Sequence, residues 1–579
     1  MAIDIHSLCA SRIDQTGKIY SNRIIINPGS NYSVPENQLY GLIQIGYTAE
    51  IDITRKAGKP RPDKMIIQYA SVGQDARDPK QSFTTGKPVG EITGETTFFF
   101  DKMPSRKWFK RAKRPAPLPY AGNLLSLYLY EPGYEAFRLW TEKYGHCFTF
   151  WMANRPAVVV TDYKLLKETL VKDGAAYTGR LEMPFSRMVR GGDYGIVETT
   201  GDLWQQQRRF LLHVFRDFGM GKNLMEERVL AEVSDFLSKC NESVDEELDL
   251  RNHFDTGVGS IINSILFGFR FDETNMDIFT SRKEIVKRIM ELSARPAFIL
   301  WMLFPSLSYF PYFWKYNKEA EKNKELLFGM FDTQIQAHKA EIDFDCEKST
   351  DYVEAFLKEQ KRHENEPEFG GYSEDQLRNM CFDLWMAGME TTSNTLYWGV
   401  VYVLLDSAVQ KRIHEEMDRE IGSDRLVTIA DRSRLHYMNA VINEIQRVAN
   451  LLPLNVFHET TTDVVIEGYH IPAGTLFLPQ ISSVMYDEKI FPDPYKFDPT
   501  RHLASDGSFV KIDEVVPFSM GKRQCVGEGL ARIELFLFLA NLYNQFEVLP
   551  YGDKLPSTKK SFGNTVRAED FSVILRRRH

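Results

Sequence analysis

Cys525 lies in the stretch PFSMGKRQCVGEGLAR, with Gly521, Gly527 and Gly529 around it and the charges of Lys522 and Arg523 just ahead. Glycines leave no side chain to block a flat group approaching the backbone. The apolar run LARIELFLFLANL that follows predicts a helix whose amino end lies just past the sulfur. That helix end and the cation of Arg523 both favour thiolate over thiol. A solitary, accessible thiolate in such surroundings is a nucleophile or a metal ligand, whereas the plainer reading of a free cysteine is a small buried hydrophobe.

A second group stands in CFDLWMAGMETTSNTLYWGVVYVLL, which has the length and period of a helix. Ala387 and Gly388 precede Thr391 by four and three residues, so they share its face and open a groove there. The Thr391 hydroxyl can help sustain that groove by bonding the carbonyl one turn back. Glu390 sits beside it in an otherwise apolar helix. Close helix packing is the simpler explanation of an Ala-Gly pair.

Three further sets are spaced for contact. Glu444 and Arg447 are three apart in VINEIQRVAN, flanked by Val441, Ile442, Ile445 and Val448, so the pair is placed for burial and would then need further partners. Arg501, in the Pro-rich FDPTRH, is a candidate partner. Trp204 and Arg208, four apart in GDLWQQQRRF, share a helical face. His458 in LLPLNVFHET would alone be read as a satisfied turn residue.

The elements that must position these residues belong to a 579-residue chain with 43% hydrophobic and 26% charged residues, an ordinary globular composition with length enough for a large core. The net charge of -8 gives no reason to expect nucleic acid as partner. Six cysteines, at positions 9, 147, 240, 346, 381 and 525, form no C-x-x-C pair and fit a reducing compartment better than a disulfide framework. Residues 1–100 alternate short strand-like runs (RIIINP, LIQIGYTAEIDI, MIIQYASV) with turns and suggest a small β-rich unit. A basic and proline-rich linker over 101–120, containing RKWFKRAKR and RPAPLPYAGN, separates it from a helix-dominated remainder, 115–579, interrupted by the hairpin-like DVVIEGYHIPAGTLFLP. Residues 296–314 carry no charge, but Pro296, Pro305 and Pro311 argue against a straight spanning helix. Buried packing and a shallow membrane contact are the readings left, with the latter favoured.

The order Phe518, Gly521, Arg523, Cys525, Gly527 resembles the haem-binding loop of the cytochrome P-450 family, F-x-x-G-x-R-x-C-x-G. Ala387 to Thr392 resembles that family's A/G-G-x-D/E-T-T/S motif, Glu444, Arg447 and Arg501 its E-x-x-R with a distal arginine, and Trp204 with Arg208 its W-x-x-x-R segment. The resemblance runs from about Pro115 to the end, with the motifs in family order, and YTGRLEMP, GIVETTGDLWQQQRRF and GYHIPAGT look most like the animal microsomal branch. It implies a mainly α fold with a smaller β-rich lobe, here with an extra small β-rich amino-terminal unit. It implies haem b with Cys525 as the axial ligand of its iron, Trp204, Arg208, His458 and Arg523 as propionate partners, and Phe518, Gly521 and Gly527 shaping the loop. Glu390 and Thr391 would organise proton delivery, and Glu444, Arg447 and Arg501 would lock the fold behind the loop. His502 stands where the family usually has Phe, which bears on the placement of Arg501.

By the same resemblance the chain is a monooxygenase at the cytosolic face of the endoplasmic reticulum membrane, oxidising a lipid, steroid or foreign compound. No flavin or nicotinamide module is visible, so electrons from NADPH would arrive through NADPH-cytochrome P-450 reductase, with cytochrome b5 as a second donor. Pocket residues are expected from 182–194, 290–312, Asp383 to Ala387, 451–456 and 562–566. A haem-thiolate isomerase or peroxygenase and a non-catalytic haem sensor are the alternatives. The family's spanning anchor is replaced here by the β-rich extension, a genuine fusion or a mis-joined reading frame.

Overall fold

The structure is a computed structural model. It describes the strands of the first hundred residues and residues 115–579, apart from 119–120, 154, 220–222, 294, 296, 299–300, 302–303, 305–306, 308–309, 366–370, 424, 554, 562 and 564. The chain divides into two units, Met1–Arg111 and Ala112–His579.

In the first unit, β1 (Ile19–Ile26), β2 (Tyr40–Gln44), β3 (Asp63–Val72) and β4 (Gly90–Thr96) form an antiparallel sheet in the order β2-β1-β3-β4. The register of its central pair sets Ile24 opposite Ile67 and Ile25 opposite Ile66.

The second unit is mainly helical. Its principal helices are α1 (Tyr134–Tyr144), α2 (Gly201–Asp217), α3 (Leu250–Phe267), α4 (Pro311–Glu341), α5 (Glu374–Leu405), α6 (His436–Ala449) and α7 (Glu528–Gln545). A five-stranded sheet lies beside them, built from β5 (Cys147–Met152), β6 (Arg155–Val160), β7 (Gly179–Arg180), β8 (His458–Glu459) and β9 (Leu476–Pro479) in the order β5-β6-β9-β8-β7. Its register sets Arg180 directly opposite His458.

Helix α5 opens at Ser373, whose hydroxyl caps the Gln376 amide, and gives way at Asp406, which caps the next helix, Ser407–Glu420. Between the caps it is apolar on nearly every side, and Leu396, Trp398, Val400 and Val401 are fully buried. A helix apolar all round must run through a core. Helices α3, α6 and α7 surround it, and Phe536 to Leu539 of α7 are equally buried. Cys240 and Cys381 lie in this core, and burial pushes the Cys240 thiol up to about 12 and the Cys381 thiol higher.

The uncharged stretch 296–314 is divided. Phe298 and Trp301 are buried in a small cluster with Leu292, Tyr316 and Ala320, whereas Phe310, Tyr312 and Trp314 are exposed where α4 begins at Pro311. Pro311 suits that place, because a first helical residue has no intrahelical use for its amide. No helix of the described residues is long and apolar enough to cross a membrane.

Glu444 and Arg447 pin the segment that precedes the cysteine loop. Both side chains are fully buried on α6, with Arg447 Nε and Nη2 each donating at 2.8 Å to separate oxygens of Glu444. Arg447 also donates to the carbonyls of Met485 (2.9 Å), Pro494 (2.7 Å) and Lys496 (3.3 Å). Arg501 joins through charge rather than a hydrogen bond: its Nε is 3.4 Å from Glu444 Oε1 but is not aligned with it, and its Nη2 donates to Asp493 O at 2.9 Å. His502 takes the aligned position, its Nε2 donating to Glu444 Oε2 at 3.1 Å from full burial. The departure at His502 therefore adds a fourth member rather than displacing Arg501. Burial pushes the Glu444 carboxyl up, and the donors from Arg447 and His502 overcome that and hold it at about 2 against an ordinary 4.5.

Replacing Glu444 by Gln leaves two buried or half-buried guanidinium groups without their anion and is expected to destabilise the second unit by ~3–5 kcal/mol, read from denaturant midpoints of parent and variant. Because the folded value is depressed, the stability Glu444 contributes is complete above its ordinary value and lost as pH falls from 4.5 towards about 2. Glu444→Gln should lack that component of the acid transition.

Candidate functional site

The cysteine loop is held by its own backbone. Gly521–Arg523 form one short 3-10 turn, the Gln524 amide donates to Gly521 O at 3.1 Å, and the Cys525 amide donates to Phe518 O at 3.1 Å. Gly521 has φ +79°, and a Cβ there would lie 1.9 Å from the carbonyl oxygen of Leu170, so both strain and contact require glycine. That requirement comes from protein packing, not from room for a flat ligand. Gly527 differs, since a Cβ there would meet only the Cys525 sulfur, at 3.9 Å. Phe518 packs under the Arg532 guanidinium, 5.0 Å from its ring centre.

Cys525 is exposed, in contrast to Cys147, Cys240 and Cys381, which are half-buried or buried. Protein nevertheless crowds its sulfur from most directions, so burial raises the thiol, opposed by the amides of Gly527 and Glu528 at the start of α7 and by the charge of Arg208. The helix end acts on the sulfur as expected. The cation that does so is Arg208, not Arg523, because Arg208 lies against the loop and donates through Nη2 to Gln524 O at 2.7 Å.

Arg523 turns away into a second group. Its guanidinium stacks 3.8 Å over the ring of Trp204 and donates to the carbonyls of Thr178 (2.9 and 2.7 Å), Thr199 (2.5 Å) and Ile196 (3.4 Å). Burial, with Arg180 and Arg208 nearby, lowers it to about 8. Arg180 is itself buried on β7, donating to Val197 O at 3.0 Å and Phe457 O at 3.1 Å, and burial and Arg208 lower it to about 10. Opposite it on β8, His458 donates through Nδ1 to Tyr177 O at 2.7 Å. Burial and the charges of Arg180 and Arg523 hold that imidazole well below its ordinary range.

Trp204, Arg208, Arg523 and His458 thus come together, and Arg180 joins them. Arg180 stood in the quoted YTGRLEMP without a role, and only the β7–β8 register reveals it. Among the described residues no carboxylate forms an ion pair with Arg180, Arg208 or Arg523. Arg180, Arg523 and His458, buried beside the half-buried Arg208 and lowered by the charges among them, have the chemistry of a site for a dianion. An anion among them would reverse each shift. The donor set therefore fits the two carboxylates of a haem, beside an accessible sulfur.

On α5, Thr391 donates to Ala387 O at 2.8 Å, the bond expected across the groove. Ala387 is exposed and Thr391 half-buried. Gly388 serves packing instead, as a Cβ there would sit 3.1 Å from the Ile262 side chain of α3. Glu390 is buried and held by the Arg567 guanidinium, with Nη2 2.5 Å from its Oε1. Asn394 and Thr565 donate to the same oxygen at 2.8 and 3.2 Å. The motif on α5 signals none of these three partners. Asp383, expected at a pocket wall, is instead fully bonded: it accepts from Arg190 Nη2 at 2.7 Å and from the amides of Ile196 at 2.8 Å and Val197 at 3.0 Å, tying the 190–197 segment to α5.

The family profile described as Cytochrome P450 matches residues 113–574. Cytochrome P450 2H1 of Gallus gallus is 35% identical over 446 residues, covering 77% of this chain and 89% of that protein. Cytochrome P450 2E1 of Oryctolagus cuniculus is 34% identical over 446 residues (76% and 87%). Probable cytochrome P450 CYP36A1 of Caenorhabditis elegans is 35% identical over 441 residues (75% and 88%). The profile spans both the sulfur loop and the cationic group, and the chain belongs to the cytochrome P450 family.

Proposed function

We propose that this chain is a haem-thiolate monooxygenase that inserts one atom of dioxygen into an apolar organic molecule, a lipid, a steroid or a foreign compound. The observation that carries the reading is the group of buried Arg180, Arg523 and His458 with half-buried Arg208, ion-paired to no carboxylate among the described residues, beside the accessible Cys525. NADPH supplies the electrons through NADPH-cytochrome P-450 reductase, with cytochrome b5 as a second donor. The balance is RH + O2 + NADPH + H+ → ROH + H2O + NADP+.

A haem bound here supplies the redox and oxygen chemistry, tuned towards O–O cleavage by a thiolate ligand. The chain's residues do the rest. The Cys525 sulfur provides the ligand, and the amides of Gly527 and Glu528 with Arg208 stabilise its negative charge. Arg180, Arg208, Arg523, His458 and the Trp204 edge neutralise and orient the propionates. Thr391 and Glu390 handle the protons consumed when one oxygen leaves as water. Glu444, Arg447, Arg501 and His502 keep the 485–502 segment in place behind the loop. The lipid-facing surface is the aromatic start of α4, where exposed Phe310, Tyr312 and Trp314 can enter the interfacial region of the endoplasmic reticulum membrane from its cytosolic face.

The carbon monoxide difference spectrum of the reduced, haem-loaded protein should show the thiolate-ligated band, and Cys525→Ser should lose it. An unchanged band in the variant, or a protein that stays colourless with added haem, ends this reading. Arg523→Leu should keep the band but release haem to a scavenging apoprotein faster. The loss of one charge-assisted pair at ~1.5–3 kcal/mol corresponds to about 10- to 150-fold in affinity.

A further inference from the structure

Glu390 is bonded in an unsymmetrical way. Oε1 takes Arg567 Nε at 2.8 Å, Arg567 Nη2 at 2.5 Å, Asn394 Nδ2 at 2.8 Å and Thr565 Oγ1 at 3.2 Å. Oε2 has no hydrogen bond among the described residues. Four donors on one oxygen draw the negative charge there and leave the other as the only oxygen free to exchange a proton.

The clamp is itself fixed from both sides. Just before Arg567, the Val566 amide donates to Leu451 O at 2.9 Å, and the Trp398 indole of α5 donates to Val566 O at 3.1 Å. Just after it, Ala568 O accepts from Arg251 Nη2 of α3 at 2.9 Å, and the same guanidinium donates through Nη1 to Asn394 Oδ1 at 3.2 Å. That second bond fixes the Asn394 amide so that its NH2 points at Glu390. Asp570 balances Arg251 at 2.9 Å. The result is a closed ring, Arg251, Asn394, Glu390, Arg567 and the backbone at 568, built from α3, α5 and the carboxy-terminal segment.

Resting on the monooxygenase reading above, we infer that Arg567 is a positioning residue for proton delivery: it holds Glu390 through Oε1 and leaves Oε2 as the oxygen that passes protons to the Thr391 side of α5. Proton transfer fails when an acid is held in the wrong place even if it is present. An enzyme that consumes NADPH without timely protons at the leaving oxygen releases hydrogen peroxide, O2 + NADPH + H+ → H2O2 + NADP+, in place of product. Arg567 acts on which of these two balances is realised, not on haem retention.

The test uses the full-length, haem-loaded protein with its reductase and any substrate the parent oxidises. In Arg567→Gln the product formed per NADPH should fall on the order of tenfold, less than the roughly 100- to 10,000-fold an acid–base group itself contributes because Arg567 acts through Glu390, with peroxide rising to match and the carbon monoxide band retained. Arg567→Lys, which keeps the charge but not the fork, should recover part of the coupling. Parent-like coupling in Arg567→Gln overturns the inference. So does loss of the carbon monoxide band in both Arg567 variants, which would make the clamp structural. Absence of the band from the parent itself would instead remove the monooxygenase reading.

Discussion

Positive charge without a counter-charge is the constraint on which the second unit turns. Burial, Arg180 and Arg208 bring Arg523 to about 8, burial and Arg208 bring Arg180 to about 10 against the weaker pull of Glu198, and His458 is held well below its ordinary range beside them. A chain gains nothing by burying these groups together for their own sake, since each is costly away from water. The arrangement makes physical sense as a partial structure whose remaining charge arrives with a ligand. The carbonyls of Thr178, Ile196, Val197, Thr199, Phe457 and Gln524 are each turned towards a guanidinium. Carbonyl dipoles orient these side chains without neutralising them, and orientation is what a planar dianion needs.

The same economy separates the two arginines that flank the sulfur in sequence and space. Arg523 is two residues from Cys525, yet the turn at Gly521–Arg523 swings its side chain onto Trp204. Arg208, far away in sequence, is the one that meets the loop. Proximity along the chain predicted the wrong cation because a turn reverses the direction of successive side chains within three residues. The helix contribution was predictable, since the start of an apolar run fixes where unpaired amides must lie.

Much of the fold was legible for that kind of reason. The motifs on α2, α5, α6 and the cysteine loop are each local, so spacing alone puts Glu444 with Arg447 and Thr391 with Ala387. What spacing could not supply is contact between distant segments. Arg180 is paired with His458 by strand register, His502 reaches Glu444 across 58 positions, and Arg567 reaches Glu390 across 177. Glycines were legible as positions of constraint but not by cause. Gly521 is demanded by Leu170 and Gly388 by Ile262, both packing reasons, while Gly527 alone leaves space beside the sulfur. The bonds of Asp383 were not legible for the same reason, since only the path of the 190–197 segment shows that its lone pairs are already used.

Three of the long-range ties join α5 or the cysteine loop to segments outside the principal helices: Asp383 to 190–197, Glu390 to 565–567, and Arg523 to Thr178, Ile196 and Thr199. Helix α5 is buried along most of its length, so these bonds anchor the segments to the most deeply packed element of the unit. Thr565 and Arg567, two positions apart, both bond the Glu390 carboxylate, so the 565–567 segment is tied to α5 at one charged group, as 190–197 is tied to it at Asp383.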